Sequence, residues 1–143
     1  MKKEVFSGGA SRHSYSSPQL DRNGLRRETY KLGLEAIQLA RLLTKQHQYE
    51  LNSQLLRSGT APGALVAEYF YAESHRDSIH KLKIALKEAN ENRYWTSLCR
   101  DADLLPTVRA NRHLKHLASV TRVLELFVQK HAPHAKPRRK SHR

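Results

Sequence analysis

At 143 residues the chain has the length of one domain, and its 38% hydrophobic content and mean hydropathy of -0.72 leave room for only a modest core under a polar surface. Its single cysteine, Cys99, excludes an intramolecular disulfide, and apolar runs of only a few residues exclude a membrane-spanning helix. A formal net charge of +13 and a pI near 10.2 call for a polyanionic partner, most commonly nucleic acid.

The N-terminal "MKKEVFSGGASRHSYSS" carries Lys2 and Lys3 but no apolar stretch behind them. It therefore does not read as a secretory signal, and with the lone cysteine the expected location is cytoplasmic. Residues 1–26 are rich in Ser and Gly and lack periodicity, which predicts a disordered extension. Through residue 27 they hold six cations against two acids, a net of +4.

A first helix is predicted from Arg27 or Glu28 to around Lys45–Gln48. Tyr30, Leu34, Ile37 and Arg41 form one line, with Gly33, Ala36, Ala40 and Leu43 beside it. The second runs from about Glu50 to Tyr71 and contains Gly59-Thr60-Ala61-Pro62-Gly63, residues that normally stop a helix. Leu51, Leu55, Ser58, Pro62, Leu65 or Val66, and Tyr69 keep helical phase through that block, where a true turn would reset it. A continuous or kinked helix is expected, the alternative being a split near residues 58–62. The third helix starts at Ser74 as N-cap, with Asp77 completing the cap, and its inner line is predicted as Ile79, Leu82, Leu86, Ala89, Arg93 or Tyr94, and Leu98. The fourth begins with Thr107 as N-cap. Leu114, Leu117, Thr121, Leu124 and Val128 mark its apolar line, and Pro133 ends it. No strand-like alternation occurs, so the expected fold is all-α, an antiparallel up-down four-helix bundle over 27–132, with a disordered basic tail over 133–143. The tail holds Lys136, Arg138, Arg139, Lys140 and Arg143 without an acid.

Leu56-Arg57-Ser58-Gly59-Thr60, Gly63-Ala64, Ala72-Glu73-Ser74 and Ile84-Ala85-Leu86-Lys87-Glu88-Ala89 occur in that order at a characteristic separation. In these motifs, over roughly residues 28–130, the chain resembles a bacterial family of four-helix-bundle proteins encoded in intervening sequences of large-subunit ribosomal RNA genes. The resemblance implies an up-down bundle and a homopentamer with a central channel. A related branch, the accessory variability determinant of diversity-generating retroelements, implies nucleic-acid binding and work with a reverse transcriptase. Five copies would carry about 5 × 13 = +65 on one particle.

Catalytic and metal chemistry find little support in the residues. Arg57, Glu68 and Glu88 read as structural polar groups, with Arg57 meeting Glu88 from a neighbouring helix. His113 and His116 share a face at i, i+3, but no adjacent carboxylate or cysteine completes a metal site, so no metal or cofactor is expected. Cys99 reads as a buried structural thiol. Tyr94 and Trp95 could stack on bases, but their mid-helix position favours core or subunit contact. The basic lines say more. Arg76, His80, Lys83 and Lys87 form one stripe on the third helix. Arg109, Arg112, His116 and Ser119 form another on the fourth, with Lys115 and Arg122 adjacent. Stripes of this kind follow phosphates. The expected function is non-enzymatic nucleic-acid binding, RNA or DNA, by a homo-oligomer through Arg76, Lys83, Lys87, Arg109, Arg112, Lys115, Arg138, Arg139 and Lys140. The alternative is a scaffold that recruits a partner such as a reverse transcriptase.

Overall fold

A computed structural model describes residues 21–131. Most of the predicted N-terminal extension and the whole basic tail, with the candidates Arg138, Arg139 and Lys140, lie outside the described residues. Four helices follow one another: α1 (Arg22–Lys45), α2 (Tyr49–Tyr69), α3 (His75–Asp101) and α4 (Thr107–His131). Each packs against its two cyclic neighbours, and among the described residues the backbones of diagonal helices stay apart. Cross-helix partners run in opposite directions along the seams. Arg57 pairs with Glu88 while Glu68 pairs with Lys81, and Arg100 bonds Asn111 while His75 bonds His131. The fold is an all-α antiparallel bundle.

Local chemistry sets the ends. α1 begins at Arg22 rather than near Arg27, because Asp21 caps it through a 2.7 Å bond from the Gly24 N–H. Ser74 caps α3, its hydroxyl accepting from the Asp77 N–H at 3.1 Å. Thr107 is the first helical residue of α4 rather than its cap. Between α1 and α2, and between α3 and α4, His47 and Asp103 adopt positive φ (59° and 58°) and turn the chain.

The small-residue block of α2 stays helical, with Pro62 buried inside a single unbroken helix. Gly59 is required where the helices approach most closely. A Cβ on Gly59 would collide with the Ala36 methyl and come within 2.9 Å of Asn92 Nδ2. Gly59 thus lets α1 and α3 close on α2 at one point. Gly33 on α1 has no neighbour nearer than 3.9 Å to the same added atom.

Two apolar cores result. One gathers Leu25, Leu32, Val66, Tyr69, Leu82, Leu117 and Leu124 near the pole where the described chain begins and ends. The other gathers Ala36, Leu39, Leu43, Leu55, Cys99, Leu105 and Ala110 toward the opposite pole. Burial pushes the Cys99 thiol up, so it stays protonated and inert. The inner line of α3 differs from the expected one. Ala85, Asn92, Thr96 and Cys99 are buried with Ile79, Leu82 and Ala89, whereas Arg93, Tyr94 and Leu98 face outward. On α1, Tyr30 and Leu34 likewise face outward, 67% and 45% exposed.

Gly59→Ala is expected to destabilise the bundle by about 1–3 kcal/mol through overpacking, despite alanine's better helix propensity. Gly33→Ala is expected to stabilise it by about 0.5–1 kcal/mol, since only propensity changes there. Urea denaturation of the two variants checks the opposite signs.

Candidate nucleic-acid interface and the buried polar layer

Between the two cores lies a continuous chain of hydrogen bonds that touches all four helices. Asn92 of α3, fully buried, donates through Nδ2 to the Leu55 carbonyl (2.9 Å) and the Ser58 hydroxyl (3.1 Å) of α2. Its Oδ1 meets His113 Nε2 of α4 at 2.7 Å. His113 Nδ1 faces Glu35 Oε2 of α1 at 2.7 Å, and Glu35 Oε1 faces His116 Nδ1 at 2.8 Å. His116 Nε2 then reaches Glu28 at 2.7 Å. Both nitrogens of His116 meet carboxylates, the arrangement of an imidazolium.

The two histidines therefore do have carboxylate partners, supplied by α1 across the bundle. The expectation that His116 belongs to an outward phosphate-following line is overturned, because Glu28 and Glu35 draw it inward. Each ring nitrogen is already engaged, and among the described residues no group of His, Cys, Asp and Glu is arranged to hold a metal ion.

Electrostatics of the layer follow from these partners. Hydrogen bonding to Glu35 raises the His116 pKa above its ordinary 6.5; burial opposes this and Glu28 adds to it. Burial pushes the Glu35 carboxyl up, but bonds from His113 and His116 and attraction to both rings overcome it and hold it at about 2. Glu28 is lowered chiefly by Lys31, with His116 contributing.

The outer surface is arranged differently. Arg76, His80, Lys83, Lys87, Asn90, Tyr94 and Leu98 succeed one another at three- and four-residue steps along α3, and all are exposed. No carboxylate occupies a position of this line, although Asp77 stands beside its first turn. The acids in the middle of α3 lie on the side toward α2, where Arg57 holds both Glu88 (3.1 Å) and Glu91. Glu68 takes Lys81 instead, at 2.7 Å. On α4, Arg109, Arg112 and Lys115 are exposed, and Arg122 leans toward Glu125 at 3.8 Å. Among the described residues, none of Arg76, Lys83, Lys87, Arg109, Arg112 and Lys115 forms an ion pair. A shallow groove at the start of the α3 line is lined by His75, Arg76, His80 and Lys83 together with Ser74, Asp77 and Ile79.

Cations also gather where α1 begins and α4 ends. Arg22 lies over the Tyr69 and Phe70 rings at 5.1 and 5.5 Å, and Arg26 over Phe70 at 5.4 Å. His75 Nε2 contacts the His131 carbonyl at 2.9 Å. Burial, then the charges of Lys130, His75 and Arg22, push the His131 pKa down. The first turn of α1 and the last turn of α4 thus both bring cations to this end, beside Asp21 and Asp77.

The polar layer predicts a pH optimum of stability. Glu35 contributes fully above its unfolded value near 4.5 and loses that contribution as pH falls toward 2. His116 contributes fully below its unfolded value near 6.5 and loses it as pH rises through the higher folded value. Thermal melts should therefore be highest between about pH 4.5 and 6.5 and decline on the alkaline side. In His116→Ala the alkaline decline should flatten; a decline that persists unchanged assigns it elsewhere.

The comparisons with known proteins agree with this architecture. No curated protein matches the chain. A solved structure of a protein of unknown function from the S23 ribosomal protein family of Bacteroides thetaiotaomicron VPI-5482 is similar, with a TM-score of 0.72 and 28% identity over 76% of this chain and 97% of that one. The family model described as 23S rRNA-intervening sequence protein matches residues 23–125, which takes in nearly the whole of the bundle from α1 into the last turns of α4. With most of its length matched, the chain belongs to the 23S rRNA-intervening sequence protein family.

Proposed function

We propose that this protein is a non-enzymatic, homo-oligomeric nucleic-acid-binding protein that holds the phosphate backbone on basic helix faces. The observation that carries the reading is the division of charge. The carboxylates Glu28, Glu35, Glu68, Glu88 and Glu91 are engaged by the bundle's own cations and histidines. Arg76, Lys83 and Lys87 on α3, and Arg112 and Lys115 on α4, stand exposed without such partners among the described residues. Unpaired cations keep their full attraction for an external phosphate, whereas a paired cation must first give up its partner. The Lys and Arg residues beyond residue 131 add charge to the chain.

Self-association fits the same reading. Tyr30 and Leu34 stand on α1 outside both cores, and burying them against another copy removes apolar surface from water. A pentamer, the assembly the family resemblance implies, would repeat each basic stripe five times and bind by avidity.

The test is binding to labelled nucleic acid across a salt series, with light scattering on the same sample. Lys83→Ala with Lys87→Ala should weaken binding and shrink the slope of log K against log salt by roughly 0.7–0.9 for each phosphate that is no longer held. Replacing Arg138, Arg139 and Lys140 by alanine should flatten it further. An absence of binding at low salt overturns the reading.

A further inference from the structure

The basic half of the α3 line runs into an aromatic half. Tyr94 lies seven residues beyond Lys87 on the same exposed face, about 10.5 Å along the helix axis. The residue is 58% exposed and belongs to neither core. It is nonetheless held in place. Trp95 packs edge-on against it, with centroids 4.9 Å apart and planes at 73°. The Trp95 indole N–H donates to Glu91 Oε1 at 3.2 Å, and Arg57 of α2 grips the same carboxylate. A chain of contacts from α2 thus buttresses an exposed aromatic side chain, at the end of a row whose cations Arg76, Lys83 and Lys87 form no ion pair among the described residues.

We propose that this α3 face is a single-strand site: Arg76, Lys83 and Lys87 hold successive phosphates, and an unpaired base stacks on Tyr94. The inference rests on the nucleic-acid reading above and names the form of polymer it takes. A phosphate-binding stripe alone does not distinguish strands from duplexes, because both present phosphates. An exposed aromatic ring does, since a duplex keeps its bases stacked inside and a single strand offers their faces. Stacking is tolerant of base identity, so the site favours single strands without reading sequence. Arg93, exposed beside Tyr94, lies within reach of the same nucleotide.

The test compares the full chain and three variants on a labelled single-stranded oligonucleotide and on the duplex of the same sequence. Tyr94→Ala should weaken single-strand binding roughly 5- to 150-fold and leave duplex binding within about twofold. Tyr94→Phe keeps the ring and should restore the affinity. Lys83→Ala with Lys87→Ala should weaken both polymers. Trp95 is the chain's only tryptophan, so its fluorescence should respond to single strands and not to duplex. If Tyr94→Ala leaves both affinities unchanged while the lysine variant weakens both, phosphate binding stands and the stacking site falls. If Tyr94→Ala instead changes the particle size in light scattering, Tyr94 serves contact between copies and the proposal is overturned. If the unaltered chain binds neither polymer at low salt, the underlying reading fails with it.

Discussion

The structure depends on the polar layer that runs from Ser58 through Asn92, His113, Glu35 and His116 to Glu28. It lies between two apolar cores, each of which could tolerate sliding, since one leucine contact resembles another. A hydrogen-bond chain cannot slide. Moving any helix by one residue would strand several buried donors or acceptors, each at about 1–3 kcal/mol. The layer need not add net stability over an apolar equivalent, because desolvating Glu35 and His116 offsets what their pairing gains. Its effect is to admit one register and one rotation for each helix.

That rotation decides what the surface presents. With Asn92 turned into the bundle, the residues on the far side of α3 are Lys83, Lys87 and Tyr94. Drawing His113 and His116 inward likewise leaves Arg112 and Lys115 facing out on α4. The interior and the candidate interface are therefore two faces of one constraint. Gly59 belongs to it as well, because any larger residue would press on the Asn92 amide where it reaches Ser58. The small-sided block of α2 is a docking surface for the layer, and the helix runs on through Pro62 around it.

The legible features were those carried by local pattern. Helical periodicity marked all four elements, the Ser74–Asp77 pair marked the start of α3, and retained phase across Gly59–Gly63 pointed to one helix. The face of α3 was not legible beyond Ala89, because hydrophobicity selects Tyr94 and Leu98 and rejects Asn92. Asn92 goes inside only because Leu55, Ser58 and His113 satisfy it from two other helices, and a single sequence does not display partners 21 to 37 positions away. His116 was misread for the same reason: its neighbours in sequence are basic, whereas its neighbours in space are Glu28 and Glu35. The start of α1 was hidden differently, since Asp21-Arg22-Asn23-Gly24 has the composition of a loop until Asp21 is seen to cap it.

The same layer bears on the chain's charge. Thirteen acids against twenty-six Lys and Arg residues already leave a cationic molecule, but the arrangement sharpens the imbalance. Glu35 is engaged by two histidines, Glu28 by His116 and Lys31, and Glu88 and Glu91 by one arginine, so these carboxylates do little to neutralise the exposed lysines of α3 and α4. Had Glu88 and Glu91 turned to the outer face of α3, they would have stood beside Lys87 and competed with an external phosphate for it, as Glu68 of α2 already occupies Lys81. A bundle that turns its acids toward its own structure presents a stronger field than its net charge suggests. It can do so because each of those acids is engaged within the bundle, Glu88 and Glu91 sharing Arg57 and Glu28 and Glu35 sharing His116.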